Sequence, residues 1–525
     1  MKKNILAFLA GVWALCGAFP GAMTCAAEEL TDTGLAVRDI NRAMDMIDVC
    51  WEKTMKGGDD NLYMADVYYV SAGFATGTSD IWPLTAALEA HCSLLEALEA
   101  VKEVEPELYN RTFEFYRHQL DLIIDNMDYY RGSYKLASYA VNHQVKPYAV
   151  PRANQRNTAN VTGILNVYDD QMWLAREFIR AYRVTGTQKY LDLATELTDY
   201  VLEGWDCWRD NSGKEYGGIT WGPGYNSKHA CSNAPIIQPL VWLSEIYKDT
   251  DATVEYYYRD TANAVKHEPR NRSTHYLEFA RKIYDWQKAK LESSTGVYYD
   301  MMGADGTIKV ERGYRQHVDC GGAVGNFYSY NTGTMIAGGA ELYRVTGEVA
   351  FRTDLTKSSR GSVSEFGISN RGKLCDFKTD ETAMNGFNTW FNNVLMRGFY
   401  YAEPYCNGNY ATRGLDVFQT NLDYAFENHN RGNMLPIHLR DGWESETRTK
   451  PFHQFAFAAQ YGILAKRLLE RAAQSGVADV TADSAEPTDD TVYTLTGVSL
   501  GRLSDVRSTL APGIYVSQGR KILIR

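Results

Sequence analysis

Two adjacent carboxylates, Asp169 and Asp170, follow Tyr168 at the mouth of a stretch that runs on as Gln171-Met172-Trp173-Leu174-Ala175. Neighbouring carboxyls can share the work of glycoside cleavage, one ionised as nucleophile and the other protonated as acid for the leaving oxygen. The competing reading is structural. Asp is favoured in the first turn of a helix, where it accepts orphan backbone N–H groups and suits the positive end of the dipole. The pair alone does not choose between the two.

The surrounding pattern is helical from about residue 35 to 475. Met172, Ala175, Ile179 and Tyr182 step by three, four and three, and Tyr190, Ala194, Leu197 and Val201 continue after a corner. At that corner Tyr182-Arg183-Val184-Thr185-Gly186 offers Gly186 for a left-handed cap and Thr187 for the start of the next helix. The same words return as Tyr343-Arg344-Val345-Thr346-Gly347, and more loosely as Ile246-Tyr247-Lys248-Asp249, which implies stacked helical hairpins. Further helices are predicted over 82–101, 108–129, 276–291, 389–401, 417–429 and 452–473, near a dozen in all and enough for a ring of six pairs.

Loops rich in Gly, Asn and aromatics separate the hairpins over 216–226, 295–330 and 407–414, and such loops line sites on helical scaffolds. Within them Asp305-Gly306, between Tyr298-Tyr299 and Ile308 to Val310, reads as a hairpin turn rather than a calcium loop. The chain has 36 Tyr and 11 Trp. Most must be core, but Trp221 and Tyr225 in a Gly-rich loop are candidates for stacking on pyranose faces.

Residues 1–27 read as a signal peptide, with Lys2 and Lys3, an apolar stretch from Ile5 to Phe19, and small residues before a cut near Ala26 or Ala27. Neither Cys16 nor Cys25 has the context of a lipid anchor. An exported protein in the periplasm, at the cell surface or beyond is expected, with no transmembrane segment in the mature chain. Losing the leader takes the net charge from −11 to about −13, which disfavours nucleic acid as a partner and suits a neutral substrate. Seven cysteines remain (Cys50, Cys92, Cys207, Cys231, Cys320, Cys375, Cys406), an odd count without zinc or disulfide-framework spacing. No Walker loop, dinucleotide fingerprint or His-Glu-x-x-His occurs, so neither cofactor nor metal is expected. Gly497-Val498-Ser499-Leu500-Gly501 matches a nucleophile elbow by chance, because it lacks the strand-turn-helix context. Residues 476–491 form an acidic linker, and 492–525 read as a short β tail of the kind that serves sorting or attachment.

Beginning at Tyr168-Asp169-Asp170-Gln171-Met172-Trp173, a series of blocks closely resembles glycoside hydrolase family 76, the endo-α-1,6-mannanases. In order they continue with Gly217-Gly218-Ile219-Thr220-Trp221, Lys228 to Pro235, Tyr298-Tyr299-Asp300 and Tyr330-Asn331-Thr332-Gly333-Thr334-Met335. The resemblance is strongest over 167–347 and extends over about 40–470. It implies an all-α fold, an (α/α)6 barrel of helical hairpins occupying residues 28–475, and retaining cleavage of α-1,6-mannosidic bonds in microbial mannan of the fungal cell-wall type. It assigns Asp169 as nucleophile and Asp170 as general acid/base, with Gln171, Trp173, Trp221, Asn233, Tyr330 and Asn331 as substrate contacts. A monomer acting on polysaccharide is expected. Adjacent Cα atoms are about 3.80 Å apart, so the two carboxyls can reach the roughly 5–5.5 Å spacing of retaining enzymes.

Two departures stand out. Thr332 occupies a position where the family block suggests an amide, and residues 249–275, with Tyr256-Tyr257-Tyr258, interrupt a hairpin and read as surface decoration. Rival readings are another (α/α)6 glycosidase, such as an exo-mannosidase or an unsaturated glucuronyl hydrolase, or a glycan-binding surface protein without catalysis. Against the glucuronyl hydrolase stands the acidic balance, and against loss of catalysis the intact Asp pair.

Overall fold

The computed structural model describes residues 31–303, 307–379, 388–443, 448–474, 491–494, 499–510, 513–517 and 520–524. The expected signal peptide, residues 476–490 of the expected linker, the Asp305-Gly306 turn, and Gly497 and Val498 lie outside them.

Twelve helices make up the described body: α1 Asp32–Thr54, α2 Ile81–Val101, α3 Pro106–Asn126, α4 Tyr168–Thr185, α5 Gln188–Leu202, α6 Ile237–Ile246, α7 Arg272–Leu291, α8 Ser329–Thr346, α9 Val349–Phe366, α10 Asn388–Ala402, α11 Tyr410–Asn428 and α12 Pro451–Gln474. Their burial sorts them into two kinds. The body of α2, α4 from Asp170 to Ala181, α6 from Ile237 to Ser244 and α8 from Ser329 to Leu342 are buried on all sides. By contrast α1, α3, α5 and α11 bury one stripe, as amphipathic helices do.

Consecutive helices pack as hairpins, α2 with α3, α4 with α5, α6 with α7, α8 with α9 and α10 with α11. The buried members also touch in sequence, α2 with α4, α4 with α6, α6 with α8 and α8 with α10. Lys466 of α12 donates to the Tyr400 hydroxyl of α10 across 2.7 Å, and Gly462 brings α12 against the backbone of α2, where a Cβ would lie 2.8 Å from the Ser93 carbonyl carbon. The helices also enclose a charged layer in which Arg180 bridges Glu177 and Glu96 and Arg397 pairs with Glu89.

Both Tyr-Arg-Val-Thr-Gly corners close alike. Gly186 and Gly347 each sit at φ +70°, and their N–H groups bond to the carbonyls of Tyr182 and Tyr343. Thr187 does occupy the N-cap position of α5, but its side chain makes no capping bond; instead its N–H donates to Thr185 Oγ1 at 3.2 Å.

The connections carry short antiparallel sheets, so the all-α expectation holds for the helical hairpins and not for the loops above them. Tyr299–Met302 lies between Ala323–Phe327 and Lys228–His229. The sequence suggests a hairpin between Tyr298-Tyr299 and Ile308 to Val310, whereas Val310–Glu311 pairs with Tyr314–Arg315. A tight turn with Arg312 at φ +52° and Gly313 at φ +82° closes that pair locally. The interruption at 249–275 is an antiparallel hairpin of Thr253–Arg259 with Val265–Asn271.

The chain divides near Glu470, close to the end of α12. The unit beyond it holds a four-stranded antiparallel sheet in the order Ser499–Arg502, Thr491–Tyr493, Gly513–Ser517, Arg520–Ile524. No helix among the described residues is long and apolar enough to cross a membrane.

Candidate active site

The first turn of α4 carries both carboxylates, and Val167 at its N-cap supplies no side-chain cap. One orphan donor at this end, the Tyr168 N–H, bonds to the Trp221 carbonyl at 2.8 Å. That bond pins the loop of Trp221 to the start of the helix, and the indole returns the contact. Trp221 Nε1 donates to Asp169 Oδ2 at 3.2 Å. The Trp221 ring also stacks on His229, with centroids 4.7 Å apart, and leans on Tyr225 at 4.5 Å.

Cys231, 5% exposed, lies beside Asp169 and Tyr330 and shifts the proton affinity of both, while Asp169 Oδ1 is buried without a hydrogen-bond partner. Burial raises the Asp169 pKa most strongly, while the Cys231 thiol, the Trp221 indole and the backbone N–H groups of the α4 turn pull it down, leaving it at about 6. Asp170 is 4% exposed. Burial, the Asp169 charge and the Asp80 charge all push its pKa well above the ordinary carboxylate range. Both carboxyls are pushed up, Asp170 further than Asp169, so above about pH 6 Asp169 is ionised while Asp170 keeps its proton, the arrangement an acid and a nucleophile require.

Asp300 is the third carboxylate at this face. It lies on the strand Tyr299–Met302 and accepts from Asn331 Nδ2 at 3.3 Å, and burial raises its pKa. Asn331 Oδ1 is buried without a protein partner. Tyr330, 9% exposed, stacks on Phe391 with centroids 4.1 Å apart.

The expected residues therefore separate into two groups. Asp169, Asp170, Trp221, Tyr330 and Asn331 come together around the start of α4, joined by Cys231 and Asp300. Gln171 and Asn233 are fully buried and their amides are occupied by backbone. Gln171 accepts from Tyr148 N and donates to Tyr148 O, both at 2.9 Å. Asn233 does the same to Ile219 N and O at 2.8 and 2.9 Å, and adds His229 O at 2.8 Å. Each amide mimics a strand partner for one loop residue, which leaves it no free group for a sugar. Trp173, 3% exposed, packs edge-on against Trp390 at 4.8 Å inside the helical body. Thr332 likewise serves the frame, since its Oγ1 accepts from Tyr298 N at 3.2 Å.

The Asn233 clamp holds Ile219, two residues before Trp221, and the residues leading to it are fitted tightly. Gly218 sits at φ +79°, and a Cβ there would fall 2.2 Å from the Trp286 ring. Beneath this loop a buried pair, Lys228 with Asp206 at 2.8 Å, is completed by His317 on Asp206 at 2.7 Å. Burial alone would raise the Asp206 pKa; the Lys228 charge and the His317 contact overcome it and lower it. Among the described residues no group of three or more His, Cys, Asp or Glu side chains is placed to hold a metal ion.

Residues 118–472 match the model of glycosyl hydrolase family 76. The mannan endo-1,6-alpha-mannosidase DFG5 of Saccharomyces cerevisiae is 25% identical over 214 residues, which is 40% of this chain and 40% of the yeast protein's length. Among solved structures, a family 76 mannosidase from Bacteroides thetaiotaomicron superposes with a TM-score of 0.58 at 20% identity, covering 83% of this chain and 100% of that one. An inactive α-1,6-mannanase of Salegentibacter sp. HEL1_6, with two consecutive aspartates replaced by alanine and α-1,6-mannotetrose bound, gives a TM-score of 0.54 at 20% identity, covering 82% of this chain and 99% of that one. These likenesses establish the shared fold.

Proposed function

The chain belongs to glycosyl hydrolase family 76, and from that premise we propose that it is an exported, retaining endo-α-1,6-mannanase acting as a monomer on microbial mannan, built as an (α/α)6 barrel over residues 28–475. The barrel reading is supported by the run of contacts among the buried helices, α2 to α4 to α6 to α8 to α10, with α12 reaching both α10 and α2. Support for the substrate comes from the yeast mannosidase and from the α-1,6-mannotetrose complex of the Salegentibacter enzyme. That enzyme's inactivation at consecutive aspartates also favours catalytic roles for Asp169 and Asp170.

The observation that carries the mechanism is the unequal environment of the two carboxyls. Asp169 receives the Trp221 indole, and that bond, neighbouring Cys231 and the helix-start amides all favour its ionised form. Asp170 faces two anions and keeps its proton. In the first step Asp170 donates that proton to the glycosidic oxygen as the bond to the anomeric carbon breaks, and Asp169 attacks the same carbon to form a mannosyl ester. Asp170, now ionised, then removes a proton from water, which displaces Asp169 and regenerates the starting states. Trp221 and Tyr330 present rings to the sugar, while Asp300 and the unpartnered Asn331 Oδ1 accept from its hydroxyls. In this reading Gln171 and Asn233 position the loops, and Trp173 packs the wall beneath the pair.

The test is time-resolved product analysis on linear α-1,6-mannan. An endo enzyme releases a spread of oligosaccharides early, and Asp169→Asn or Asp170→Asn abolishes release while circular dichroism and cooperative melting persist. Mannose as the sole early product would overturn the endo reading, and full activity in either variant would overturn the assignment of the pair.

A further inference from the structure

The hairpin at 253–271 is fixed at both ends. At its base the Arg272 N–H bonds to the Ala252 carbonyl at 2.9 Å. Toward its tip Arg259 lies 3.7 Å over the Trp208 ring and donates to the Tyr139 carbonyl at 2.9 Å, while Asn263 Oδ1 accepts from Arg209 N at 2.8 Å. Held at two points, it roofs a cavity of about 690 Å³ whose lining includes Tyr256 and Tyr257 of the hairpin. That volume lies inside the range of about 300–1,000 Å³ common to small-molecule sites. Its lining shares no residue with the group around Asp169 and Asp170.

The chemistry of the wall selects a ligand class. It carries four carboxylates, Glu196, Asp199, Glu203 and Glu255, against two cations, Lys146 and Arg272, with His143 bonded to Glu203 at 2.9 Å and Arg272 to Asp199 at 2.8 Å, so it offers donors and acceptors to a neutral ligand and repels an anionic one. Deeper in, His275 is 4% exposed and its Nδ1 has no hydrogen-bond partner. Burial holds that imidazole neutral, with its pKa lowered to about 3, so it can exchange a hydrogen bond with a hydroxyl without titrating. Tyrosine rings beside uncharged hydrogen-bonding capacity suit a polyhydroxylated ring with an apolar face.

We propose that the space beneath this hairpin is a second, non-catalytic binding site for a neutral oligosaccharide, and that its occupant is a stretch of the α-1,6-mannan chain. The sugar's identity rests on the mannanase reading; the existence of the site does not. The cavity also abuts the catalytic helix. Tyr200, part of its lining, has its ring 5.2 Å from that of Tyr168 and accepts from Asn166 Nδ2 at 2.6 Å, on the segment leading into α4.

Calorimetric titration of the full chain carrying Asp169→Asn and Asp170→Asn, with α-1,6-mannotriose, tests this. Two binding events are expected. Adding Tyr257→Ala, or separately His275→Phe, should weaken one of them at least tenfold and leave two-event stoichiometry only in the parent. A single event insensitive to both changes would overturn the proposal, as would a Tyr257-dependent event for an anionic uronate oligosaccharide and none for neutral ones. If mannotriose binds nowhere but maltotriose or cellotriose binds in a Tyr257-dependent way, the site stands and the mannan reading falls.

Discussion

The Trp221 indole donates to Asp169 Oδ2 across 3.2 Å, while the charges facing the neighbouring Asp170 are the carboxylates of Asp169 and Asp80. In the proposed mechanism this asymmetry separates the roles of two residues that share a side-chain type and a helix turn.

It predicts a bell-shaped pH profile for kcat/KM. The acid limb reflects ionisation of Asp169 near 6 and the alkaline limb loss of the Asp170 proton at higher pH, both apparent values belonging to the pair. Trp221→Phe keeps the ring and removes the donor. It should move the acid limb upward and lower kcat/KM at pH 6 by about tenfold, the cost of roughly one charge-assisted hydrogen bond. An acid limb that stays in place would show that the indole does not tune Asp169.

Asp170 should also cost stability. Its native pKa is raised above the unfolded value, so the native state holds more protons between the two values and stability falls as pH rises through that window. Asp170→Asn should therefore leave Tm unchanged below pH 4 and raise it by roughly 1–3 °C at pH 8. A gain that is the same at both pH values would point to packing rather than charge.

Asn233 offers a test of positioning. Asn233→Ala leaves the backbone N–H and carbonyl of Ile219 buried without their partners, which costs about 1–3 kcal/mol for each group left unsatisfied. The loop of Trp221 should loosen, so kcat on mannan is expected to fall with Tm, while Asn233→Asp, which keeps the acceptor for Ile219 N, retains part of both. Loss of activity with an unchanged Tm would instead make Asn233 a direct substrate contact.

The C-terminal unit should be dispensable for chemistry. The chain divides near Glu470, and truncation after Gln474 keeps α12 whole. Mannan hydrolysis is expected to persist, with export or surface attachment altered. A folded truncation without activity would mean that the tail helps to form the site.

Much of this was legible in sequence because it rests on local rules. The two Tyr-Arg-Val-Thr-Gly corners need a left-handed residue, and glycine supplies it. The Asp pair stands at a helix start because the apolar period begins there. What sequence could not reveal depends on distant segments meeting. Cys231 stood inside a recognised block, yet its role exists only once Asp169 and Tyr330 are folded against it. Asp300 was hidden in the same way: it closes the recognised block Tyr298-Tyr299-Asp300, but its contact with Asn331 forms only on folding. Gln171 and Asn233 were expected as sugar contacts because they stand in the blocks that carry the family resemblance, but the loops passing over them take both ends of each amide. The run Tyr256-Tyr257-Tyr258 read as decoration because nothing local shows that Arg259 and Asn263 tie the hairpin down over a cavity.

The central claim is that Asp169 attacks the anomeric carbon and Asp170 serves first as acid and then as base. Following anomeric proton signals by NMR in the first minutes of α-1,6-mannooligosaccharide hydrolysis, before mutarotation, tests it most directly. Double displacement through a mannosyl ester on Asp169 predicts the α-anomer as the first product. Initial release of the β-anomer would require water to attack directly from the opposite face, and would contradict the roles given to both residues.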